Sequence, residues 1–396
     1  GSEMCIRDSH YVGVNDRNKH RFEAMWPLPY GVSYNSYLID DEMVALVDTV
    51  DICYFEVYLR KIKQVIGERP INYLIINHME PDHSGSIRLI KQHYPEIIIV
   101  GNKQTFGMIE GFYGVTGEQY LVKEGDFLAL GHHKLRFYMT PMVHWPETMM
   151  TFDETDGVLF SGDGFGCFGT VDGGFLDTRI NVDKYWGEMV RYYSNIVGKY
   201  GSPVQKALQK LGGLPISAIC STHGPVWTEN IAKVVGIYDR LSRYDADEGV
   251  VIAYGSMYGN TEQMAEAIAE ELSAQGVKNI VMHNVTKSHP SYIIADIFRY
   301  KGLIIGSPTY SNQIFPEVEA LLSKILLREV KGRYLGYFGS FTWAGAAVKR
   351  LAEFAEKSKF ELVGDPVEMK QAMKDLTYTQ CENLARAMAD RLKKDR

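Results

Sequence analysis

The stretch Asn77-His78-Met79-Glu80-Pro81-Asp82-His83-Ser84-Gly85-Ser86 decides the fold of the N-terminal half of the chain. It follows an apolar run, residues 73–77, whose pattern predicts a short buried strand. Two histidines and two carboxylates fall within six consecutive residues, in a turn that Pro81 favours. Because layered α/β folds place their chemistry where strands end, the stretch predicts a metal site at the end of this strand.

Three further potential ligands each follow a predicted strand. His144 follows residues 135–140, Asp163 follows residues 158–161, and His223 follows residues 216–220. The full order, His-x-Glu-x-Asp-His and then His, Asp and His, resembles the metallo-β-lactamase superfamily. That resemblance implies an α/β domain of the αββα sandwich type, with a two-metal site at one edge.

The third position of the first motif distinguishes between metals. Zinc hydrolases of that superfamily usually carry His-x-His-x-Asp-His, whereas this chain has Glu80 in place of the second histidine. A carboxylate makes the site harder and more anionic, which favours iron over zinc. We therefore expect a diiron site, with His78, Glu80 and His144 on one iron, Asp82, His83 and His223 on the other, and Asp163 as the bridge.

The second half of the chain has a regular alternation of strands and helices. Predicted strands cover residues 250–254, 280–282, 303–306 and 334–339, with a weaker one near Leu362, and predicted helices cover 261–273, 316–327, 344–357 and 371–394. Five strands alternating with helices predict a doubly wound parallel sheet. The polar stretch 245–249 marks the boundary, which gives domains at residues 10–247 and 248–396.

Three loops of this half are predicted to bind one ligand. The run Gly255-Ser256-Met257-Tyr258-Gly259-Asn260-Thr261 lacks the lysine of a Walker loop and the G-x-G-x-x-G of dinucleotide sites, and its hydroxyls at a helix N-terminus suit a monophosphate. It resembles the FMN phosphate loop of flavodoxins. The predicted FMN contacts are Ser256, Met257, Tyr258, Gly259, Asn260, Thr261, Ser307, Pro308, Thr309, Tyr310, Asn312, Ser340, Thr342, Trp343 and Gly345.

A diiron domain followed by a flavodoxin-like domain resembles the flavodiiron proteins over nearly the whole chain from Tyr11. The resemblance implies that FMN passes electrons to a non-haem diiron centre, which reduces dioxygen to water, nitric oxide to nitrous oxide, or both. The chain has no Cys-x-x-Cys pairs for a fused rubredoxin. The resemblance therefore implies a separate donor, such as rubredoxin or a reduced flavin-type cofactor, and a head-to-tail homodimer or a dimer of dimers.

Tyr193 is predicted as a catalytic hydrogen-bond donor near the irons, together with its neighbour Tyr192; helix packing is the alternative reading of both. Some proteins of the flavodiiron family carry an extra histidine near the substrate pocket. At the corresponding place, this chain has Trp26-Pro27-Leu28-Pro29. This difference leaves the polarity of the substrate pocket open.

Composition excludes several other classes of protein. The 396 residues carry a net charge of -7 without a long basic run, so a nucleic-acid binder is not expected. No apolar stretch approaches a membrane span and no signal sequence is evident, so we expect no membrane association and a cytoplasmic location. Two alternative functions remain at this point: a zinc-dependent hydrolase fused to a flavodoxin domain, and an electron-transfer module that has lost its metals.

Overall fold

The computed structural model describes residues 4–396, with side chains from residue 7 onward. The chain divides into two compact units, Gly1–Asp239 and Arg240–Arg396. The boundary predicted from the sequence, between residues 247 and 248, falls inside the strand Asp247–Tyr254. The domain limits 10–247 and 248–396 therefore stay a prediction. Within the described part of the chain, no helix is long and apolar enough to span a membrane.

The first unit is built on two facing sheets. The strands of one are, in spatial order, Met4–Ile6, Ser9–Tyr11, Tyr37–Ile39, Ala45–Val47, Tyr73–Ile75, Ile98–Gly101 and Gln119–Leu121. Those of the other are Phe127–Ala129, Lys134–Met139, Met149–Asp153, Val158–Gly162 and Ala218–Ser221. Apolar side chains of both sheets, among them Val47, Ile75, Phe137 and Phe160, form one buried core. The predicted two-sheet sandwich is confirmed.

Helices and small hairpins complete the first unit. Amphipathic spacing explains the helix Phe55–Ile66, which buries Tyr58, Ile62 and Ile66 at intervals of four residues. The α-helices are Phe55–Ile66, Pro81–Ser84, Ile87–His93, Lys103–Tyr113, Asp183–Tyr192, Gly201–Leu211 and Ile231–Ser242; a π-helical turn, Tyr193–Val197, and two 3-10 turns, Ile52–Tyr54 and Gly198–Tyr200, adjoin them. Two small hairpins pair Val14–Asp16 with Val32–Tyr34 and Arg21–Phe22 with Trp26–Pro27.

The sheet register brings the predicted ligands to one edge. Strands Val158–Gly162 and Ala218–Ser221 run parallel with Phe160 beside Cys220, so the residues that follow them lie side by side. Met149 N, at the start of its strand in the second sheet, donates a hydrogen bond to Asn77 O (3.0 Å) in the first. This bond joins the two sheets where the His78 loop begins.

The second unit has one parallel sheet with helices between its strands. Its strand order is Ile280–Asn284, Asp247–Tyr254, Tyr300–Tyr310 and Tyr334–Phe341, with two short strands, Glu361–Leu362 and Val367–Lys370, both pairing at the fifth position; Gln313–Ile314 forms a hairpin on the third strand. The helices are Asn260–Ala274, Pro290–Arg299, Pro316–Arg328, Ala347–Ser358 and Asp375–Lys393. The predicted five-stranded doubly wound sheet is confirmed.

Candidate metal and flavin sites

All seven predicted metal ligands lie together at the joined edge of the two sheets. Each is less than a tenth exposed, including the three carboxylates. Asp163 lies at the centre and its two oxygens face different groups. Oδ2 lies 3.4 Å from His78 Nε2 and 3.2 Å from His144 Nε2, which is also 3.2 Å from Glu80 Oε2.

The other oxygen of Asp163 faces the second group. Oδ1 lies 3.1 Å from His83 Nε2 and 3.5 Å from His223 Nε2. Asp82 completes the group, with Oδ1 at 3.5 Å from His83 Nε2 and Oδ2 at 3.3 Å from His223 Nε2. When several atoms bind one metal ion at about 2.1 Å each, neighbouring donor atoms lie just over 3 Å from one another, as they do here. The arrangement therefore suits two ions bridged by Asp163, in the grouping that the sequence predicts.

Several of these donor atoms have no hydrogen-bond partner within the described chain. The unpartnered atoms include His78 Nε2, His83 Nε2, His223 Nε2 and both carboxylate oxygens of Asp82. Buried polar atoms are nearly always bonded, because an unsatisfied one costs about 1–3 kcal/mol. A set of orphaned donors facing one volume is the arrangement expected of a metal centre, so the residues present fit a pair of ions.

The electrostatics of the metal-free cluster support this interpretation. Burial lowers the pKa of His83 and of His144, but the neighbouring carboxylates outweigh it and raise the pKa of each to about 9. Burial alone would raise the pKa of Asp163, yet His83 and His78 hold it well below its usual range. Protons on the histidines thus balance buried negative charge, a task that bound cations perform in their place.

Residues around the ligands orient them. His78 Nδ1 lies 2.7 Å from Glu147 Oε1, and His223 Nδ1 lies 2.8 Å from the carbonyl oxygen of Ser33. Such partners direct the other ring nitrogen toward a metal. Thr222 Oγ1 donates to Asp163 Oδ1 (2.5 Å). Sequence reasoning missed Glu147, whose only signal is a carboxylate three residues after His144.

A glycine permits the turn that carries His223. Gly224 has φ +84°, and a Cβ at this position would lie 2.4 Å from Cys167 Sγ. Any other residue would therefore meet both backbone strain and a clash. Asn35 Nδ2 holds the same turn by donating to Ser221 O (3.0 Å) and Gly224 O (2.8 Å).

Glu23 is a second residue that sequence reasoning missed. It lies at the tip of the hairpin between Arg21–Phe22 and Trp26–Pro27, and its Oε2 accepts a hydrogen bond from Trp26 Nε1 (2.9 Å). Desolvation and the nearby charge of Glu80 raise the pKa of Glu23 to about 7. This chain thus positions a carboxyl group beside the predicted ligand Glu80.

Tyr192 and Tyr193, at the end of the helix Asp183–Tyr192, have different neighbours. The ring of Tyr192 lies 5.8 Å from that of His223. The ring of Tyr193 lies 5.1 Å from that of Tyr238, in an edge contact. A π-helical turn begins at Tyr193 and changes the direction of successive side chains there. The structure thus brings Tyr192 to a ligand, whereas a catalytic role for Tyr193 stays a prediction.

The predicted flavin residues lie at the carboxyl ends of three adjacent parallel strands of the second unit. Ser256 Oγ accepts from Gly259 N (3.1 Å) and Glu262 N (3.3 Å), which fixes the loop before the helix Asn260–Ala274. Thr261 Oγ1 lies 2.8 Å from Ser340 Oγ, so the first and third loops touch. A hydroxyl-lined helix N-terminus at the switch between strands is a phosphate cradle, and these residues fit FMN.

Two details of the flavin region differ from the prediction. Residues 307–310, expected in a loop, belong to the strand Tyr300–Tyr310, which turns back at Ser311 and Asn312 into Gln313–Ile314. Both turn residues have positive φ, as a tight hairpin requires. The aromatic side chains predicted to flank the ring are exposed, Trp343 by 79% and Tyr310 by 49%. They offer two open surfaces for a planar ligand.

Comparisons with known proteins follow the same two-part division. A family model described as ODP family beta lactamase matches residues 32–224, and one described as Flavodoxin matches residues 252–383. The chain is 33% identical to the rubredoxin-oxygen oxidoreductase of Megalodesulfovibrio gigas over 389 residues, which cover 97% of this chain and 96% of that protein. It is 32% identical to an anaerobic nitric oxide reductase flavorubredoxin of Vibrio vulnificus, over 89% of this chain and 72% of the relative.

Solved structures match the whole chain. Rubredoxin oxygen:oxidoreductase from Desulfovibrio gigas superposes with a TM-score of 0.95 at 31% identity, covering 100% of this chain and 99% of that one. The flavodiiron protein from Giardia intestinalis superposes with a TM-score of 0.93 at 26% identity, covering 100% of this chain and 98% of that one.

Proposed function

The chain belongs to the flavodiiron protein family, and on that premise we propose that it reduces dioxygen to water, nitric oxide to nitrous oxide, or both. The relatives support an oxidoreductase and not the zinc-dependent hydrolase considered as an alternative. FMN and a diiron centre are its cofactors. The seven residues His78, Glu80, Asp82, His83, His144, Asp163 and His223 are proposed as the iron ligands.

One observation carries the proposal: the two oxygens of Asp163 are surrounded by buried donor atoms, several of which have no hydrogen-bond partner among the described residues. Three carboxylates and four neutral imidazoles give this pocket three negative charges, which suits two divalent irons with one further bridging anion. A pocket with Glu80 in place of a histidine is harder than a zinc site. The donor set thus favours iron.

The chain's own residues prepare the site for these groups. Once bound, iron and FMN supply the electrons and open coordination positions that a diatomic substrate requires. Glu147 lies at His78 Nδ1 and the Ser33 carbonyl at His223 Nδ1, so each Nε2 is directed inward. Trp26 holds Glu23 beside Glu80 at the hairpin tip. All seven residues are less than a tenth exposed, so bulk solvent has little access to their side chains.

The electron donor and the assembly belong to the same proposal. A relative named rubredoxin-oxygen oxidoreductase supports a separate rubredoxin as the donor to FMN. A reduced flavin-type cofactor is the alternative donor. A head-to-tail homodimer, alone or as a dimer of dimers, and a cytoplasmic location remain expectations from the sequence.

The test combines metal analysis with gas kinetics on the full chain. About two irons and about one FMN per chain are expected in protein purified from iron-replete cells. After anaerobic reduction, stopped-flow mixing with dioxygen or nitric oxide should reoxidise the flavin rapidly, and the ratio of the two rates ranks the substrates. The matched control is the same protein depleted of iron but retaining FMN. Equal reoxidation rates with and without iron would contradict the proposal.

A further inference from the structure

A second histidine and carboxylate cluster lies in the first unit, away from the proposed diiron site. Its members are His133, Asp153 and Asp156. Asp153 ends the strand Met149–Asp153, whose other end lies at the His78 loop. Four residue steps at about 3.3 Å each separate the two ends by roughly 13 Å. The cluster therefore cannot share ligands with the diiron site.

The donor atoms of this cluster converge. His133 Nδ1 lies 2.8 Å from Asp153 Oδ2 and 4.0 Å from Asp156 Oδ2, and one ligand atom from each residue lies within 4.8 Å of the other two. The side chains of His133 and Asp153 are fully buried and that of Asp156 is 3% exposed. Such spacing suits three ligands on one face of a single ion at about 2.0–2.2 Å.

Each of the three side chains has a second polar atom that points away from the centre of the cluster, and a neighbouring residue contacts that atom. His133 Nε2 lies 3.4 Å from Asp8 Oδ2. Asp153 Oδ1 accepts from Thr155 N (3.0 Å), and Asp156 Oδ1 accepts from Arg7 Nη1 (3.0 Å). A carboxylate on the far nitrogen of a histidine is the usual support of a metal-bound imidazole. The three converging atoms are thus oriented by their own chain.

One buried oxygen has no partner within the described residues. Asp156 Oδ2 is shielded from solvent and accepts no hydrogen bond from the side chains and backbone that the structure describes. His133 Nδ1 can donate a hydrogen bond to Asp153. The same nitrogen lies 4.0 Å from Asp156 Oδ2, which is too far for a second hydrogen bond. An ion at the centre would contact both carboxylates at once. The unsatisfied oxygen therefore points to a bound group outside the described part of the chain.

We propose that His133 Nδ1, Asp153 Oδ2 and Asp156 Oδ2 bind one divalent transition-metal cation, separate from the iron pair. Two carboxylates balance the charge of the cation, and one imidazole with two carboxylates is a donor set that zinc, cobalt and manganese accept. The cation links the turn after Met149–Asp153 to the strand Lys134–Met139, and Arg7 and Asp8 connect the N-terminal segment to it. Its role is structural.

Zinc uptake by the intact holoprotein tests the site. Protein carrying its iron and FMN is dialysed against micromolar Zn²⁺, and zinc, iron and FMN are counted per chain. The wild type should take up about one zinc without losing iron. Asp156→Asn should bind at least about tenfold less zinc at the same free concentration. Loss of a residue that only supports a metal ligand already lowers metal affinity about 10–100-fold, and loss of a ligand itself should lower it at least as much.

A neighbouring carboxylate provides the matched control. Glu154 pairs with Arg136 and Lys134 instead of facing the cluster, so Glu154→Gln should retain the zinc. Asp156→His supplies a different metal-binding atom at the same position, so it should take up more zinc than Asp156→Asn. If Asp156 only stabilised the fold, histidine would not restore zinc uptake. Unchanged iron and FMN contents show that each variant is folded. Absence of additional zinc in the wild type, or equal uptake by the wild type and Asp156→Asn, would overturn the proposal.

Discussion

The metal cluster and the flavin loops are both proposed to hold a cofactor at the ends of strands, but they differ in burial. The seven metal residues are less than a tenth exposed, whereas Tyr258 and Trp343 of the flavin loops are 90% and 79% exposed. Several donor atoms in the metal cluster lack hydrogen-bond partners within the described chain, while Ser256, Thr261 and Thr309 in the flavin loops already bond to the chain itself.

This difference indicates how strongly each site depends on its cofactor. Buried carboxylates need nearby positive charge, so the metal cluster must be balanced by cations or by protons on its histidines. The flavin loops form hydrogen bonds of their own and expose their aromatic side chains to solvent. Changes in the metal cluster should therefore have large and specific effects, and changes in the flavin loops smaller ones.

The largest effect is expected for Asp163→Asn. Asp163 is the one described residue that faces both groups of ligands, and an amide bridges two cations poorly because it carries no charge. We expect a loss of iron affinity of more than about 100-fold, since even outer partners of ligands are worth about 10–100-fold. Iron per chain and gas-driven reoxidation measure the loss, while the FMN content should stay at the wild-type value.

Asp177→Asn is the control for that substitution. Asp177 is also a buried carboxylate, but it accepts hydrogen bonds from residues 228–230 outside the cluster. Its replacement should lower stability without changing the iron content. If Asp163→Asn kept its iron, or if both variants lost it equally, Asp163 would not be the bridge.

A smaller effect is expected for Glu147→Gln. The substituted amide would still accept the hydrogen bond of Met79 N, which Glu147 Oε1 now receives at 2.8 Å, but it would lose the charge beside His78 Nδ1. Iron affinity should fall about 10–100-fold, as it does for other outer partners of metal-bound histidines. Competition with a ferrous chelator measures it. A wild-type affinity would show that His78 needs no charged partner.

Much of the metal site could be predicted from the sequence because local spacing encodes it. Apolar runs followed by His78, His144, Asp163 and His223 mark the strand ends, and the parallel register of two of these strands places Asp163 and His223 together. Glu147 and Glu23 could not be predicted in this way. Their contacts with His78 and Glu80 cross 69 and 57 positions of sequence and depend on how two loops fold over the strand ends.

The fold was predicted in outline and missed in places where tertiary contacts override local pattern. The helix Pro290–Arg299 went unpredicted, although its buried Ile293, Ile294, Ile297 and Phe298 have helical spacing and Pro290 lies in its first turn. The strand predicted to end at residue 306 continues to Tyr310 because the hairpin with Gln313–Ile314 extends it. The helix therefore had a local signal that was overlooked, whereas the extension of the strand depends on the pairing of two short segments.

The flavin loops allow a direct test of the smaller effect expected there. Trp343→Ala removes an exposed aromatic surface and should weaken FMN binding by up to about tenfold, the equivalent of roughly 1.4 kcal/mol for one aromatic contact. Titration of FMN-depleted protein, followed by flavin fluorescence, measures it. Tyr378→Ala, at a 42% exposed aromatic on the helix Asp375–Lys393, is the control and should bind FMN normally. Equal affinities for all three proteins would exclude Trp343 from the site.

The smallest effect is expected for exposed charged pairs, and it concerns the stability of the fold. Asp172 accepts hydrogen bonds from Arg17 (2.8 Å), Thr170 and Lys184, and these partners outweigh burial to lower its pKa to about 2. Because the folded pKa lies below the unfolded value, this stabilisation is full at neutral pH and is lost as pH falls from about 4 toward 2. The side chain is 48% exposed, so solvent screening keeps the contribution below about 1 kcal/mol.

A double-mutant cycle with Asp172→Asn and Lys184→Gln isolates one of these pairs. Urea unfolding of the four proteins at about pH 7 should give a coupling free energy between 0 and about 1 kcal/mol, and about 0.5 M salt should reduce it. Both positions lie outside the metal cluster, so iron content should not change in any variant. A coupling of about 2 kcal/mol or more would mean that an exposed pair can match a buried one, and that burial is not what separates the metal cluster from the flavin loops.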